Sequence, residues 1–404
     1  MAPLEIPQEL LPADGRFGAG PSRISPAQLQ HLLAHADILG TSHRQAPVKD
    51  LVARVQGMLA EFFSLPGGYE VVLGNGGSTA FWDVSAASLA RTRSAHLSFG
   101  EFGSKCVSAH STPWLESPDV VSSDPGTRGA LSAIAGVDLY AWPHNETSTG
   151  VSAPVRRVAG ADSDALMVVD ATSAAGGIYC DVRESDVYYF APQKNFASDG
   201  GLWFALMSPA AIARAAEIAD TDRYIPDFLS LTQAIDNSRL HQTLNTPALT
   251  TLLLMEAQLE WMLSIGGLTA TAAHCAASSA VLYDWADSRS DVTAFVRDPD
   301  HRSPVVVTLD IDEAIDATAI TSVLRANGIV DTEPYRKLGR NQIRVATFAG
   351  VPHSAVEKLI SSLDYVLENL QGFGVSGSSH SMRSNTSVGS SGTSRGAGSR
   401  PMSS

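Results

Sequence analysis

The feature that most constrains the fold is a series of short apolar runs broken by glycine turns and alternating with helical patterns. YEVVLGN (69–75), SAHLSFG (94–100), ALMVVDATSAAGG (165–177), VYYFAP (187–192) and LWFALM (202–207) read as strands. Between and before them, SPAQLQHLLAHADIL (25–39) reads as a helix, with Ser25 as N-cap and Pro26 at the first helical position. VKDLVARVQGMLAEFFSL (48–65) is an amphipathic helix, GGSTAFWDVSAASLA (76–90) a glycine turn opening a helix, and EFGSKCVSA (101–109) another helix start. This alternation implies an α/β fold with a mostly parallel sheet. From about residue 267 the pattern changes. A small-residue helix (268–289), SPVVVTLDI (303–311), a helix (312–327), NQIRVATFA (341–349) and a helix (354–370) predict a smaller α+β domain. The expected division is an N-terminal arm (1–15), a large domain (16–266), a small C-terminal domain (267–372) and a disordered Ser/Gly-rich tail (373–404).

Composition narrows the function. The 404 residues suffice for two domains with good cores, and 44% hydrophobic with 17% charged residues is ordinary for a soluble chain. A net charge of -14 argues against non-specific nucleic-acid binding. Cys106, Cys180 and Cys275 are scattered and form no CxxC pair, which argues against a disulfide framework or a zinc site and fits a reduced, cytoplasmic setting. The first residues lack a basic segment followed by a long apolar run, so no signal peptide is expected. No apolar run approaches the roughly 18 residues that span a membrane.

One lysine then stands out. FAPQKNFASDGG (190–201) places Lys194, one of five lysines in the chain, between two apolar runs where a charge is costly. Asp170 ends the run ALMVVD, twenty-four residues upstream. A buried salt bridge, or two turn residues, would account for the pair. So would pyridoxal 5′-phosphate: a lysine condenses with its aldehyde, and an aspartate keeps its pyridine nitrogen protonated so that the ring acts as an electron sink. A desolvated lysine beside cations also has a lowered pKa and can shuttle protons.

Other segments bear on that choice. In GNGGSTAFW (74–82) the amides of Gly77, Ser78 and Thr79, with two hydroxyls, can hold a phosphate at a helix N-terminus. Such turns are also common as plain helix starts. Phe102 follows a strand end and can stack on a flat ring or simply fill core. Thr147 in WPHNETSTG (142–150) can donate to a ring oxygen or cap a helix. Asn245 and Thr246 in LNTPA (244–248) can reach a phosphate or cap the helix after Pro247.

Taken together, FGAGPS, SHR (42–44), GGST (76–79), HNET (144–147), VVDATSAAGG (168–177), FAPQKN (190–195) and NTP (245–247) resemble the phosphoserine aminotransferase family. Its members are class V, fold-type I pyridoxal-phosphate enzymes, and GNGGSTAFWD looks like the actinobacterial branch. The resemblance covers about residues 15–370. It implies a seven-stranded-type sheet in the large domain and a homodimer with shared active sites. Lys194 would carry the aldehyde and Asp170 pair with the ring nitrogen. Phe102 falls where many relatives stack a tryptophan, and Ser78 and Thr79 where many have an arginine. Thr147 would meet the ring oxygen. Gln193 would touch the phosphate, and Asn245 with Thr246 would reach it from the neighbouring subunit. Arg344 would bind the α-carboxylate, and His43, Arg44 and Arg336 the distal anion. Tyr335 replaces a histidine of many relatives, and the 336–344 segment is longer than in the enterobacterial form.

The implied reaction moves the amino group of L-glutamate to 3-phosphooxypyruvate, giving O-phospho-L-serine and 2-oxoglutarate. The implied pathway is serine biosynthesis, with 4-phosphohydroxythreonine of pyridoxine biosynthesis as a second substrate. An alanine–glyoxylate or serine–pyruvate aminotransferase of the same class would lack the distal cation cluster. A catalytically silent cofactor-binding protein would not need Lys194 or Arg344.

Overall fold

A computed structural model describes residues 4–374, with side chains through residue 370. All but the first two residues of the expected tail lie outside the described residues. The central sheet has seven strands: β1 (Glu70–Asn75), β2 (Ser94–Ser98), β3 (Asp119–Ser122), β4 (Leu139–Pro143), β7 (Leu166–Asp170), β8 (Val187–Phe190) and β9 (Leu202–Met207). Between β4 and β7, a small two-stranded ribbon is formed by β5 (Asn145–Glu146) and β6 (Val151–Ser152). The sheet order is β1-β9-β8-β7-β4-β2-β3. Five neighbouring strands run parallel, whereas β9 is antiparallel to both β8 and β1. The cause is the link. Only residues 191–201 join β8 to β9, shorter than the dozen or more residues that a parallel crossover requires. The reversal therefore leaves Lys194 in a tight loop beyond the carboxyl end of β8, beside the ends of β4 and β7, where open α/β sheets place their sites.

Helices cover both faces. On one, α2 (Ala46–Phe62) and α7 (Leu249–Ser264) bury Leu51, Val55 and Leu59 with Leu252, Met255 and Leu259. On the other, α3 (Ser78–Ser88), α4 (Glu101–His110), α5 (Pro209–Ala219) and α6 (Leu231–Arg239) bury Phe81, Trp82, Cys106, Ala215 and Ile235. Before α2, α1 (Pro26–Ala34) opens with a capping box in which Ser25 and Gln28 bond each other's backbone amides. Gln28 also donates to the carbonyls of Ala197 and Leu254, which ties α1 to the lysine loop and to α7.

The C-terminal part packs α8 (Gly267–Asp287), α9 (Ala317–Ala326) and α10 (His353–Gly374) around an antiparallel sheet of β10 (Val292–Ala294), β11 (Val306–Ile311) and β12 (Gln342–Ala346). The N-terminal stretch belongs to this core as well. Ile6 and Phe17 are buried in it, on either side of the boundary expected at residue 15. Gly15 accepts from the amide of Val330, Phe17 donates to Val330, and the Phe17 carbonyl accepts from Ala346. The chain then crosses from the small core to the lysine loop. Among the described residues no single helix is long and apolar enough to cross a membrane.

Candidate active site

Lys194 lies where the N-terminal stretch meets the loop after β8. Its Nζ donates to the Ala19 carbonyl at 2.6 Å, and Ser22 N donates to the Gln193 carbonyl at 2.7 Å. Gly20 permits this approach. A Cβ at that position would stand 1.7 Å from Nζ, and its φ is +144°. Among the described residues no ion pair joins Lys194 to Asp170, so the pair is not a buried salt bridge. Burial, followed by the positive charge of Arg344, lowers the Lys194 amine to about 8, against a smaller opposing pull from Asp170.

Asp170 ends β7 and is 8% exposed. Its Oδ1 accepts from Thr172 N at 2.9 Å and Thr172 Oγ1 at 2.5 Å, and its Oδ2 from Trp82 Nε1 at 2.9 Å. Burial raises its pKa, and these donors pull it back. The partnership with Trp82 was not visible in the sequence, where Trp82 reads as one more apolar position of α3.

A second knot forms around Ser173. Its Oγ receives Asn145 Nδ2 and Thr147 Oγ1, each at 2.8 Å. The Thr147 carbonyl accepts from Arg344 Nη1 at 3.0 Å, which links β12 to the loop after β5. The Arg344 guanidinium lies 5.5 Å from the Tyr335 ring centre, and burial lowers its pKa. Tyr335 in turn meets the Phe102 ring edge-on at 6.0 Å. Phe102 is fixed by Glu146, a buried carboxylate whose Oε2 accepts from the amides of Phe102 at 3.1 Å and Gly103 at 3.0 Å in the first turn of α4. Glu146 and Ser173 are therefore further members of the site; the quoted segments contained both residues without suggesting these contacts.

The remaining expected residues divide. Gly77 is the N-cap of α3, and Ser78 is buried with its Oγ against Thr172 Oγ1 at 2.6 Å, whereas Thr79 is exposed. Gln193 borders Lys194. His43, Arg44, Asn245 and Thr246 gather elsewhere, beyond Asn75 at the end of β1. His43 Nδ1 lies 3.2 Å from Thr246 Oγ1, Arg44 donates to Gln242 at 2.8 Å, and Asn245 N donates to Asn75 at 3.0 Å. Among the described residues no hydrogen bond or ion pair joins this group to Lys194, Asp170 or Arg344. Arg336 is exposed, and among the described residues its guanidinium makes neither kind of bond. Its neighbour Lys337 pairs with Glu101, and Arg340 pairs with Asp310 at 2.8 Å and lies over Phe295.

These residues fit pyridoxal 5′-phosphate. An amine that has no carboxylate partner among the described residues stands near a buried carboxylate held by hydrogen bonds from Thr172, Trp82 and Tyr189. Around them Gln193 Oε1, Asn145 Oδ1 and Arg344 Nε are buried and, among the described residues, without hydrogen-bond partners. Buried polar atoms are rarely left so unless a ligand or water completes them.

Known proteins agree. The sequence profile of the class-V aminotransferases matches residues 126–332. The chain is 58% identical over 370 residues to a phosphoserine aminotransferase of Nocardioides sp., covering 91% of this chain and 99% of that one. It is 56% identical over 367 residues to a phosphoserine aminotransferase of Rhodococcus jostii, covering 90% and 98%. Among solved structures, a phosphoserine aminotransferase of Cytophaga hutchinsonii superposes with a TM-score of 0.81 at 22% identity, over 87% of this chain and 98% of that one. An alanine–glyoxylate aminotransferase of Nostoc sp. superposes with a TM-score of 0.73 at 18% identity, over 91% and 97%. The structural matches share the fold. The sequence matches are far closer.

Proposed function

The chain belongs to the phosphoserine aminotransferases of the class-V aminotransferase family, and from that premise we propose the substrates it uses and the part each residue plays. It is a pyridoxal-phosphate-dependent transaminase. The proposed donor is L-glutamate and the proposed acceptor 3-phosphooxypyruvate, giving 2-oxoglutarate and O-phospho-L-serine in the cytoplasm. The observation that carries the reading is Lys194: a desolvated amine, free of any carboxylate partner among the described residues, whose pKa the Arg344 charge helps lower.

Pyridoxal 5′-phosphate, when bound, supplies an electron sink for charge that develops at the amino acid Cα. Lys194 would hold its aldehyde, Asp170 its ring nitrogen, Thr147 its ring oxygen, and Gln193 with the Gly77–Thr79 turn its phosphate. Lys194 Nζ, as a free amine beside the substrate, would take the proton from Cα and hold it for return. An amine near pH 8 is suited to both, because its two protonation states are close in energy at neutral pH. Arg344 presents a guanidinium fork to the α-carboxylate common to both substrates. The hydrogen bonds that Asp170 accepts from Thr172 and Trp82 oppose the rise in its pKa that burial causes and so favour its anionic form.

His43, Arg44 and Arg336 would bind the distal phosphate of one substrate and the distal carboxylate of the other. The first two stand apart from Lys194 within one chain. That separation supports a homodimer in which the loop of each protomer, with Asn245 and Thr246, completes the site of its partner. Two substrates sharing one site require ping-pong kinetics. Initial rates with varied glutamate and 3-phosphooxypyruvate should give parallel double-reciprocal lines. Faster turnover of alanine with glyoxylate would refute the assignment.

A further inference from the structure

Asp170 is held from two sides by chemically different donors. Thr172 is its near neighbour in sequence and supplies a backbone and a hydroxyl donor to Oδ1. Trp82 comes from α3, 88 residues away, and supplies the donor to Oδ2 at 2.9 Å. The indole is 5% exposed and the carboxylate 8%, so no bulk water competes for that bond. A tryptophan needed only to fill core would not have to aim its N–H at a carboxylate, and a buried indole N–H must find some acceptor. Here the acceptor chosen is the group assigned to the cofactor ring nitrogen.

We propose that Trp82 is a positioning residue that keeps Asp170 ionised and fixed in orientation toward the pyridine nitrogen, so that α3 contributes to cofactor electronics as well as to the phosphate turn at its start. This rests on the pyridoxal-phosphate reading of the site. The physical argument is that burial alone drives Asp170 toward its neutral form, and a neutral acid would not hold the ring nitrogen protonated. A carboxylate accepts about four hydrogen bonds. Thr172 and Trp82 fill three of these, and Tyr189 adds a further stabilising interaction. The bond from Trp82 is the only one of the three to Oδ2. Its loss removes that donor from a desolvated oxygen and leaves Thr172 and Tyr189 to hold the carboxylate.

The titratable groups around Asp170 include Lys194 from the loop, Tyr188 and Tyr189 from β8, Cys106 from α4, and His96 and His144, whose pKa values burial lowers. Burial holds both tyrosines and the thiol neutral far above pH 7, and Lys194 titrates near 8. His110, behind Cys106, titrates near 4.

The test is a mutant cycle of W82F, D170N and the double variant. It is read on the cofactor-free protein as urea midpoint against pH, and on the holoenzyme as the dissociation constant for pyridoxal 5′-phosphate. W82F should weaken cofactor retention by about tenfold or more, the size of a lost hydrogen bond to a charge. Its stability deficit relative to wild type should also grow as pH rises through the ionisation of Asp170, whose pKa burial raises, because the missing donor matters only once Asp170 is ionised. In the D170N background both effects should largely vanish, and W82H, which restores a ring N–H, should recover part of each. Equal losses with and without D170N, or a loss independent of pH, would overturn the proposal and leave Trp82 a packing residue. If W82F fails to fold, W82H compared with wild type, each with and without D170N, decides the same point. Failure of the wild-type protein to bind pyridoxal phosphate would refute the cofactor reading instead, while the pH cycle on the cofactor-free protein would still report on Trp82 and Asp170.

Discussion

The Nζ of Lys194 donates to the carbonyl of Ala19 at 2.6 Å, across 175 residues of chain. The same N-terminal stretch pairs through Gly15 and Phe17 with the segments at Val330 and Ala346. The central amine of the site is thus held by a strap anchored in the C-terminal core.

Gly20 should tolerate no side chain. Its φ of +144° disfavours other residues, and a Cβ would stand 1.7 Å from Nζ and 2.8 Å from Cε of Lys194. Gly20→Ala should lower stability by about 1–3 kcal/mol and slow cofactor uptake by at least about tenfold. Calorimetry and stopped-flow absorbance with added pyridoxal phosphate would measure both. Unchanged uptake would mean that the strap does not set the lysine's position.

Lys194 should weaken the fold that holds it. Its unfolded value is 10.5 and its folded value about 8. Above 10.5 the amine is neutral in both states. As pH falls from 10.5 to 8, only the unfolded chain takes up the proton, and stability declines; below 8 the full penalty is present. Lys194→Met should therefore stabilise the cofactor-free protein at pH 7 by on the order of 2 kcal/mol, discounted for the partly exposed side chain, and the gain should fade toward pH 10.5. Urea midpoints at pH 7 and 10 would show it. The same variant should lose at least about 100-fold in turnover.

Arg344 should act on Lys194 as well as on substrate. Its positive charge lowers the lysine pKa, so Arg344→Gln should raise it. The pH midpoint for cofactor uptake by the free amine should move to higher pH, and KM should rise for both amino acids. A rise in KM with an unmoved midpoint would confine Arg344 to substrate binding.

Complementation tests the shared site. Lys194→Ala and Arg44→Ala should each be nearly inactive as homodimers. Mixed and allowed to exchange subunits, they should recover up to about a quarter of wild-type activity, from hybrids with one intact site. No recovery in a mixture shown to contain hybrids would place Arg44 in the site of its own chain.

Much of the site was legible because its residues sit in short, glycine-punctuated stretches whose chemistry is local. Lys194 stood out as a charge between apolar runs, and Asp170 as a carboxylate ending another. The partners of both were hidden by sequence distance. No periodicity brings Trp82 to Asp170 or Ala19 to Lys194. Ser173 as the acceptor of two side chains depends on how two loops meet. The reversed direction of β9 was equally hidden, since LWFALM is apolar throughout and reads alike in either sense; only the short link after β8 decides it.

The most direct measurement is the absorbance of the purified holoenzyme on adding O-phospho-L-serine and, separately, L-alanine. The account predicts that the visible cofactor band bleaches with phosphoserine and persists with alanine. Bleaching with alanine, and not with phosphoserine, would contradict it.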